Sequence, residues 1–423
     1  MGGAHAEMPR CGVRYVADMT GPLSGFTVVE ACQMVAGPLA GTHLADLGAE
    51  VIKIENPSGG DRMRFLGDRV GDISALWALT NRGKRAVTLD LQQAEGVELL
   101  KTLVAKADVF IQNFRPGVAE RLGIGEPELR AVNPALVYVS VSGFGDTGPN
   151  VDQKSYDYVI QALSGMAALQ TDPTTGLPTL VRNVVIDKTT AGYATQSILA
   201  ALLARERGAG GQHIRLSMID VAVSFLWPDG MMKDTFLDPT EVTPGGMLAD
   251  DYLVRATLDG YITFVATSGR QFPALCGALG TSWETDPRFL TLADRQANAT
   301  ELNALVAEEL LRWKGAELVD RLHAFDVPCA LINPLDQVHL DRQVIHNGIL
   351  VEHDRPHLGP VREPRPPADF SVTPVALGRH APRPDEHTDE VLAEFGITTE
   401  SLDDLRSRGV IGTRRPSAHQ VSR

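Results

Sequence analysis

Asp187 stands where an apolar run, Val181 to Ile186 interrupted by Arg182 and Asn183, meets Lys188-Thr189-Thr190-Ala191-Gly192, the opening of a long helical stretch. A carboxylate at a helix start meets the positive end of the dipole and unpaired N–H groups, which favour its ionised form. With a reference pKa of ~3.9, Asp187 is expected to be an anion at neutral pH. The small residues after it leave room for a substrate carbonyl. Nucleophilic attack by the carboxylate is one reading and a plain helix N-cap is the other. The residues alone leave both open.

Basic residues gather around a second kind of chemistry. Lys53 ends a strand, Arg62 and Arg64 follow it, and Asn81-Arg82-Gly83-Lys84-Arg85 precedes the next strand. Asn113-Phe114-Arg115-Pro116-Gly117 follows another. Ligands of open α/β sheets sit beyond the carboxyl ends of strands, so Lys53, Asn113 and Arg115 are placed to meet a phosphate-bearing ligand. A solvated charged face is the alternative for any one of them. Gly143-Phe144-Gly145-Asp146-Thr147-Gly148 matches GxGxxG after a strand, but Pro149 and Asn150 follow and no amphipathic helix begins there. Without that helix the dinucleotide fingerprint lacks its context. A glycine-rich turn lining some pocket is the simpler expectation.

The elements that must hold these residues alternate. Strand signals occur at 26–30, 50–54, 85–89, 108–111 and 136–140, and residues 93–106 carry apolar positions at helical spacing. That alternation predicts a parallel, doubly wound α/β sheet. Lys154-Ser155-Tyr156-Asp157-Tyr158 opens a helix through Ile160, Leu163 and Met166, and a long helix covers roughly 191–207, stopping at Gly208. After a loop at 238–251, Tyr252–Thr257 and Tyr261–Ala266 read as a hairpin turned by Asp259-Gly260. Helices near 299–325 complete a smaller α+β domain. From about 340 the chain is rich in Pro, Arg and His and has little periodicity, as a segment wrapping the body and closing with a short helix near 387–395 would have. The expected division is 20–227 for the large domain, 245–338 for the small one and 340–423 for the wrapping segment.

Composition narrows the partners. Four cysteines lie scattered without metal-ligand spacing, which suits reduced thiols in a cytoplasmic protein. Of the 11 histidines, His353 and His357 are four apart, but Pro356 and Gly359 argue against a helix presenting both, so no metal site is expected. The formal charge of -14 disfavours nucleic acid and anionic membranes. No signal-like apolar region or membrane-spanning run is present.

The order of several short motifs carries a resemblance. Ala36-Gly37-Pro38, Asp46 through Glu55, Asn113 through Gly117, Gln161 through Gly165, Gly211-Gln212-His213-Ile214 and Glu386-His387-Thr388 follow one another over residues 21 to 412. In this the chain resembles the class III CoA-transferases of the CaiB/BaiF group, which include formyl-CoA and carnitine CoA-transferases. The resemblance implies a Rossmann-like large domain with an inserted smaller domain, and an interlocked homodimer. It implies that acyl-CoA and a carboxylic acid are the substrates, with no permanently bound cofactor. Asp187 matches the catalytic aspartate, which would form an aspartyl anhydride and then an aspartyl-CoA thioester. Val35, Lys53, Arg62, Arg85, Asn113, Phe114, Arg115, Lys154 and Tyr156 match CoA-contacting positions.

Two departures bear on this. Related α-methylacyl-CoA racemases carry a histidine where this chain has Tyr156, so a two-base proton exchange would lack one base. The alternatives are nevertheless an acyl-CoA racemase or isomerase of the same fold, or a non-catalytic nucleotide-binding protein. Ile186, rather than Gly, precedes the aspartate, and a glycine loop that shields intermediates in some transferases is reduced to Pro244-Gly245-Gly246-Met247.

Overall fold

The computed structural model describes residues 21–412 except 173–174, 239, 241, 244, 246–247 and 267–268; for residues 250 and 251 it describes the backbone alone. Two compact units emerge, one built from the chain up to Leu226 together with Ile349 onward, the other from Trp227–Gly348.

In the first unit, six strands form a parallel sheet: β1 (Thr27–Ala31), β2 (Glu50–Glu55), β3 (Lys84–Thr88), β4 (Val109–Gln112), β5 (Val137–Ser142) and β6 (His213–Ser217). Their order is β3-β2-β1-β4-β5-β6. Strands covered on both faces are apolar nearly throughout. Val51, Ile52, Val109, Phe110, Ile111, Val137 and Val139 are accordingly buried. The order reverses between β1 and β4, the place where such a sheet leaves a crevice beyond the strand ends. The doubly wound sheet is thus the one its alternation predicts, with one strand more. Edge strand β6 carries His213 and Arg215, so it lacks the apolar run that marks the inner strands.

Three helices set the site: α1 (Ala36–Asp46), α2 (Asp157–Leu163) and α3 (Val185–Ala204). α3 starts earlier than the predicted 191, which places Asp187 inside its first turn. The helix predicted from residue 154 instead begins at Asp157 and breaks after Leu163, where Gly165 takes φ +90. α1 packs on α3 through Ala40, Ala191 and Ala194. The Asp187 side chain meets the Ala36 N–H, and His43 Nδ1 lies 3.3 Å from Thr195 Oγ1. Contacts that advance in step along both helices mean that they run parallel, N-termini side by side. α1 also lies hard against β1. A Cβ on Gly41 would fall 2.0 Å from Glu30 Oε2, and one on Gly37 would fall 2.4 Å from Cys32 Sγ.

Charges are sealed beneath α1. Glu30 on β1 receives Lys53 from β2 at 3.0 Å and Lys84 from β3 at 2.7 Å, all three fully buried. Asp61 pairs with Lys53 at 3.3 Å. Glu55 pairs with Arg64, whose guanidinium stacks on Trp77 at 3.6 Å.

The final segment returns to the outer strand of this sheet. It forms an antiparallel hairpin, Leu350–Arg355 with Gly359–Pro364, which the sparse periodicity did not reveal, and then α4 (Thr388–Glu394). The His387 N–H donates to the Ala86 carbonyl and Thr388 Oγ1 accepts from the Thr88 N–H, each at 3.0 Å. Arg85 reaches Glu394 at 2.7 Å and Glu390 at 3.1 Å. These bonds cover an edge that would otherwise present unpaired backbone groups.

The second unit holds an antiparallel sheet of β7 (Arg255–Ala256), β8 (Tyr261–Phe264) and β9 (Cys329–Leu331), ordered β9-β8-β7. Ile262, Leu275, Leu310 and Leu318 fill its core. The predicted hairpin forms, but neither Asp259 nor Gly260 takes a positive φ. Asp259 instead accepts the Gly315 N–H at 2.8 Å.

Removing one member of a buried charge network leaves its partners unpaired in low dielectric, typically at ~3–5 kcal/mol. Lys53→Met should therefore lower the unfolding free energy by about that much in urea titration. A change near zero would mean that Lys53 is solvated.

Candidate active site

Beyond the carboxyl ends of β1, β4 and β5 lies a cleft of about 240 Å³. Each strand contributes the residues that follow it: Gln33, Met34 and Ala36 after β1, Asn113 to Pro116 after β4, and Gly143 to Gly145 after β5. Val141 and Ser142 at the end of β5, Val151, Gln153 to Tyr156 ahead of α2, Asp187 in α3 and Met218 complete the lining. The cleft thus occupies the switch point of the sheet, where ligands of such folds bind. Gly143-Phe144-Gly145 lines it as a turn that opens no helix, as the simpler expectation held. A Cβ on Gly143 would fall 2.1 Å from Ser155 Oγ, so the close approach of the two loops requires glycine there.

Four backbone atoms of the loop between β1 and α1 are held by side chains. Lys53 Nζ donates to the Cys32 carbonyl at 2.6 Å. The Asn113 side-chain amide accepts the Gln33 N–H at 2.8 Å and donates to the Gln33 carbonyl at 2.7 Å. Both Asp61 oxygens accept the Met34 N–H at 3.2 Å. Met34 itself holds φ 66, a strained conformation for a side chain of its size. The result is a rigid turn that aims the first N–H of α1 at Asp187.

Asp187 is half-buried and lies on the cleft wall. Val184, in the N-cap position of α3, has no side-chain acceptor to offer. Asp157 supplies it from a distant turn: Oδ2 accepts the N–H of Ile186 at 2.7 Å and of Asp187 at 2.9 Å. Burial first, and then the charge of Asp157, push the Asp187 carboxyl up to about 7, while the Ala36 N–H pulls the other way. The expected ready anion is therefore corrected. The helix end does favour charge, but lost hydration and a like-charged neighbour outweigh it. The N-cap alternative is corrected too, since Asp187 lies within the helix and is itself held by the cap.

The cleft brings together Asn113, Phe114, Arg115, Lys154, Tyr156 and Asp187. Arg115 and Lys154 are exposed, and neither pairs with a carboxylate among the described residues. Tyr156 is 45% exposed and stacks on Tyr158 with ring centres 6.0 Å apart. Four assigned positions lie outside the lining. Lys53 is fully buried on Glu30 and Asp61, so its ammonium holds the loop rather than a phosphate. Although burial works against it, those carboxylates hold it above its ordinary pKa. Arg85 is committed to Glu50, Glu390 and Glu394. Val35 packs against Met63, Ile73 and Trp77. Arg62 is exposed on the turn Arg62–Phe65.

Gln33, Asp61, Asp157 and Gln161 went unassigned in the sequence. Gln33 follows a strand end, which is the general signal for such positions. Asp157 had none, because the start of α3 that leaves Val184 without a side-chain cap is set only in the structure. Pro244, Gly246 and Met247 of the reduced glycine loop lie outside the described residues. Among the described residues, no three His, Cys, Asp or Glu side chains gather as a metal site, and no helix is long and apolar enough to cross a membrane.

The chain also resembles known proteins. The profile of CoA-transferase family III matches residues 23–388. The chain is 35% identical to the succinate–glutarate CoA-transferase of Agrobacterium fabrum, covering 88% of this chain and 96% of that one. It is also 35% identical to the acetyl-CoA:oxalate CoA-transferase of Acetobacter aceti, over 78% of this chain and 86% of the other. A CaiB/BaiF family crystal structure from Brucella suis superposes with a TM-score of 0.78 at 34% identity, covering 89% of this chain and all of that one. With the cleft at the switch point and the match running through most of the sequence, the chain belongs to CoA-transferase family III and is an enzyme that moves CoA between an acyl-CoA and an acid.

Proposed function

We propose that Asp187 is the nucleophile and covalent carrier in this transfer. The observation that carries the reading is a half-buried carboxyl at the switch-point cleft, beside the N-terminus of α1, with two cations in the same cleft that pair with no carboxylate among the described residues. One Asp187 oxygen attacks the thioester carbonyl of the donor; the C–S bond breaks, leaving a mixed anhydride and CoA thiolate. The thiolate then attacks the aspartyl carbonyl, which releases the donor acid and forms an aspartyl-CoA thioester. The acceptor carboxylate attacks that thioester and expels the thiolate. Attack by the thiolate on the acceptor carbonyl gives the new acyl-CoA and restores Asp187. Each step exchanges one acyl bond for another of similar energy, which is what a covalent carrier contributes. A carboxylate with raised basicity is the stronger nucleophile toward the thioester.

The cleft groups have separate parts in this reading. Arg115 and Lys154 meet anionic groups of CoA and acid, giving a locally positive mouth on a chain of formal charge -14. Phe114 offers an apolar face and Asn113 holds the loop that presents Ala36. Tyr156, in place of the racemase histidine, supports transfer over proton exchange. The relatives act on succinate, glutarate and oxalate as their names state, and two cations in one cleft suit doubly charged acids. We therefore assign a short dicarboxylate to at least one side of the exchange. We also propose an interlocked homodimer. The exposure of large apolar side chains such as Phe65, Leu66 and Val70 on the single chain supports such a partner.

Asp187→Asn should lower CoA exchange by about 10³-fold or more while changing CoA affinity less than about threefold. Hydroxylamine should trap the wild-type thioester at Asp187 and nothing in the variant. Full activity in the variant would remove the proposal. Because attack needs the ionised carboxyl, the wild-type rate should fall about tenfold per pH unit below a limb near 7. A limb near 4 would show an ordinary solvated carboxylate. Donor–acceptor screening by mass spectrometry should favour oxalate, succinate or glutarate over propionate and butyrate, and preference for the monoacids would overturn that assignment. Light scattering should give twice the mass of one chain; a monomer would contradict the dimer.

A further inference from the structure

The first turn of α3 is held by a side chain that no step of the transfer uses. Asp157 is 6% exposed, at the start of α2. Its Oδ2 takes two successive N–H groups of α3, those of Ile186 and of Asp187 itself. Its Oδ1 accepts Gln161 Nε2 at 2.5 Å. Gln161 is 1% exposed and is fully occupied. Its Oε1 accepts the Val181 N–H at 2.9 Å, and Nε2 also lies 3.2 Å from the carbonyls of Val181 and Asn183. The two side chains thus grip both the segment entering α3 and the backbone that carries Asp187. A backbone N–H bonded at 2.9 Å fixes where the Cα–Cβ bond of the same residue points.

We propose that Asp157 is the positioning residue for Asp187: locked by Gln161, its carboxylate caps α3 and fixes the direction in which Asp187 faces the cleft. The inference rests on Asp187 being the nucleophile. Reactive groups must meet within a few tenths of an ångström, and a misplacement of about 1 Å can cost 10²-fold. Helix ends fray when uncapped, and here the frayed turn would be the one bearing the nucleophile. The same carboxylate is a like charge close to Asp187 and contributes to its raised basicity. The other charged or titratable groups of the cleft are Arg115 from the loop after β4, and Lys154 and Tyr156 from the segment before α2. On neighbouring turns, Lys188 bonds Asn183 at 2.9 Å and His43 of α1 bonds Thr195.

Two variants separate the cap from the charge. Asp157→Asn keeps an acceptor for the α3 N–H groups but is neutral and presents an amide N–H₂ to Gln161. Gln161→Met keeps the Asp157 charge and removes its lock. In the first, removing a negative neighbour lowers the Asp187 pKa, so the acid limb of the exchange rate should move to lower pH by half a unit or more. In both, kcat at pH 8 should fall about tenfold or more with KM for acyl-CoA within about threefold. Thermal unfolding identifies folded preparations, and only those are compared. If folded Asp157→Asn keeps the wild-type limb and kcat, or if KM rises while kcat is unchanged, the positioning role is overturned. Hydroxylamine trapping is run on wild type alongside: a wild type with no adduct at Asp187 sinks the nucleophile, whereas a normal adduct beside an unaltered Asp157→Asn sinks the positioning role alone.

Discussion

Two parallel helices bring their N-termini to one point, and the rest of the site depends on that convergence. Positive dipole ends placed together repel, and several N–H groups there lack intrahelical partners. Small residues permit the approach: Ala40 against Ala191 and Ala194, with Gly37 and Gly41 letting α1 settle on β1. Two carboxyls compensate for it. Asp157 takes the N–H groups of α3, and Asp187 takes that of Ala36. A larger side chain at either glycine would push α1 off the sheet and move Ala36 away from Asp187.

In the proposed mechanism, reactivity comes from the balance at Asp187. Ordinary hydration would keep the carboxyl fully ionised and weakly nucleophilic near neutrality. Burial and Asp157 raise its basicity, and the Ala36 N–H limits the rise so that a useful fraction stays ionised. The loop carrying Ala36 can hold its shape because charges lie beneath it. Lys53 ties Cys32 to Glu30 and Asp61, and Asp61 ties Met34. Burial pulls the neighbouring Lys84 down to about 8 in spite of Glu30. These buried ions set geometry; their contribution to net stability is offset by desolvation.

Much of this was legible in the residues. The inner strands announced themselves because both their faces are buried, and the alternation fixed a doubly wound sheet whose strand ends held Asn113 and Arg115, with Asp187 at the start of a long helix. What was not legible turns on partners distant in the chain. Lys53 reads as a cation at a strand end until Glu30 and Asp61 are seen to enclose it. Arg85 reads as a free cation opening a strand, although α4 covers it from the far end of the sequence. The Asp157 cap joins residues in two different helices, and no local pattern encodes such a bond. Burial decided the ionisation of Asp187, whereas the helix end visible in sequence pointed the other way. The hairpin near 350–364 escaped because its strands alternate too weakly to show a period.

Oxygen tracing tests most directly whether the Asp187 carboxyl changes acyl partners during transfer. An acceptor acid labelled with heavy oxygen in its carboxylate would be given to enzyme that has been charged with unlabelled acyl-CoA, for a single turnover. The Asp187 peptide should then carry one heavy oxygen, left behind when CoA leaves with the acceptor acyl group. An unlabelled Asp187 peptide beside labelled acyl-CoA product would contradict the account, since CoA would have passed without a bond to this carboxyl.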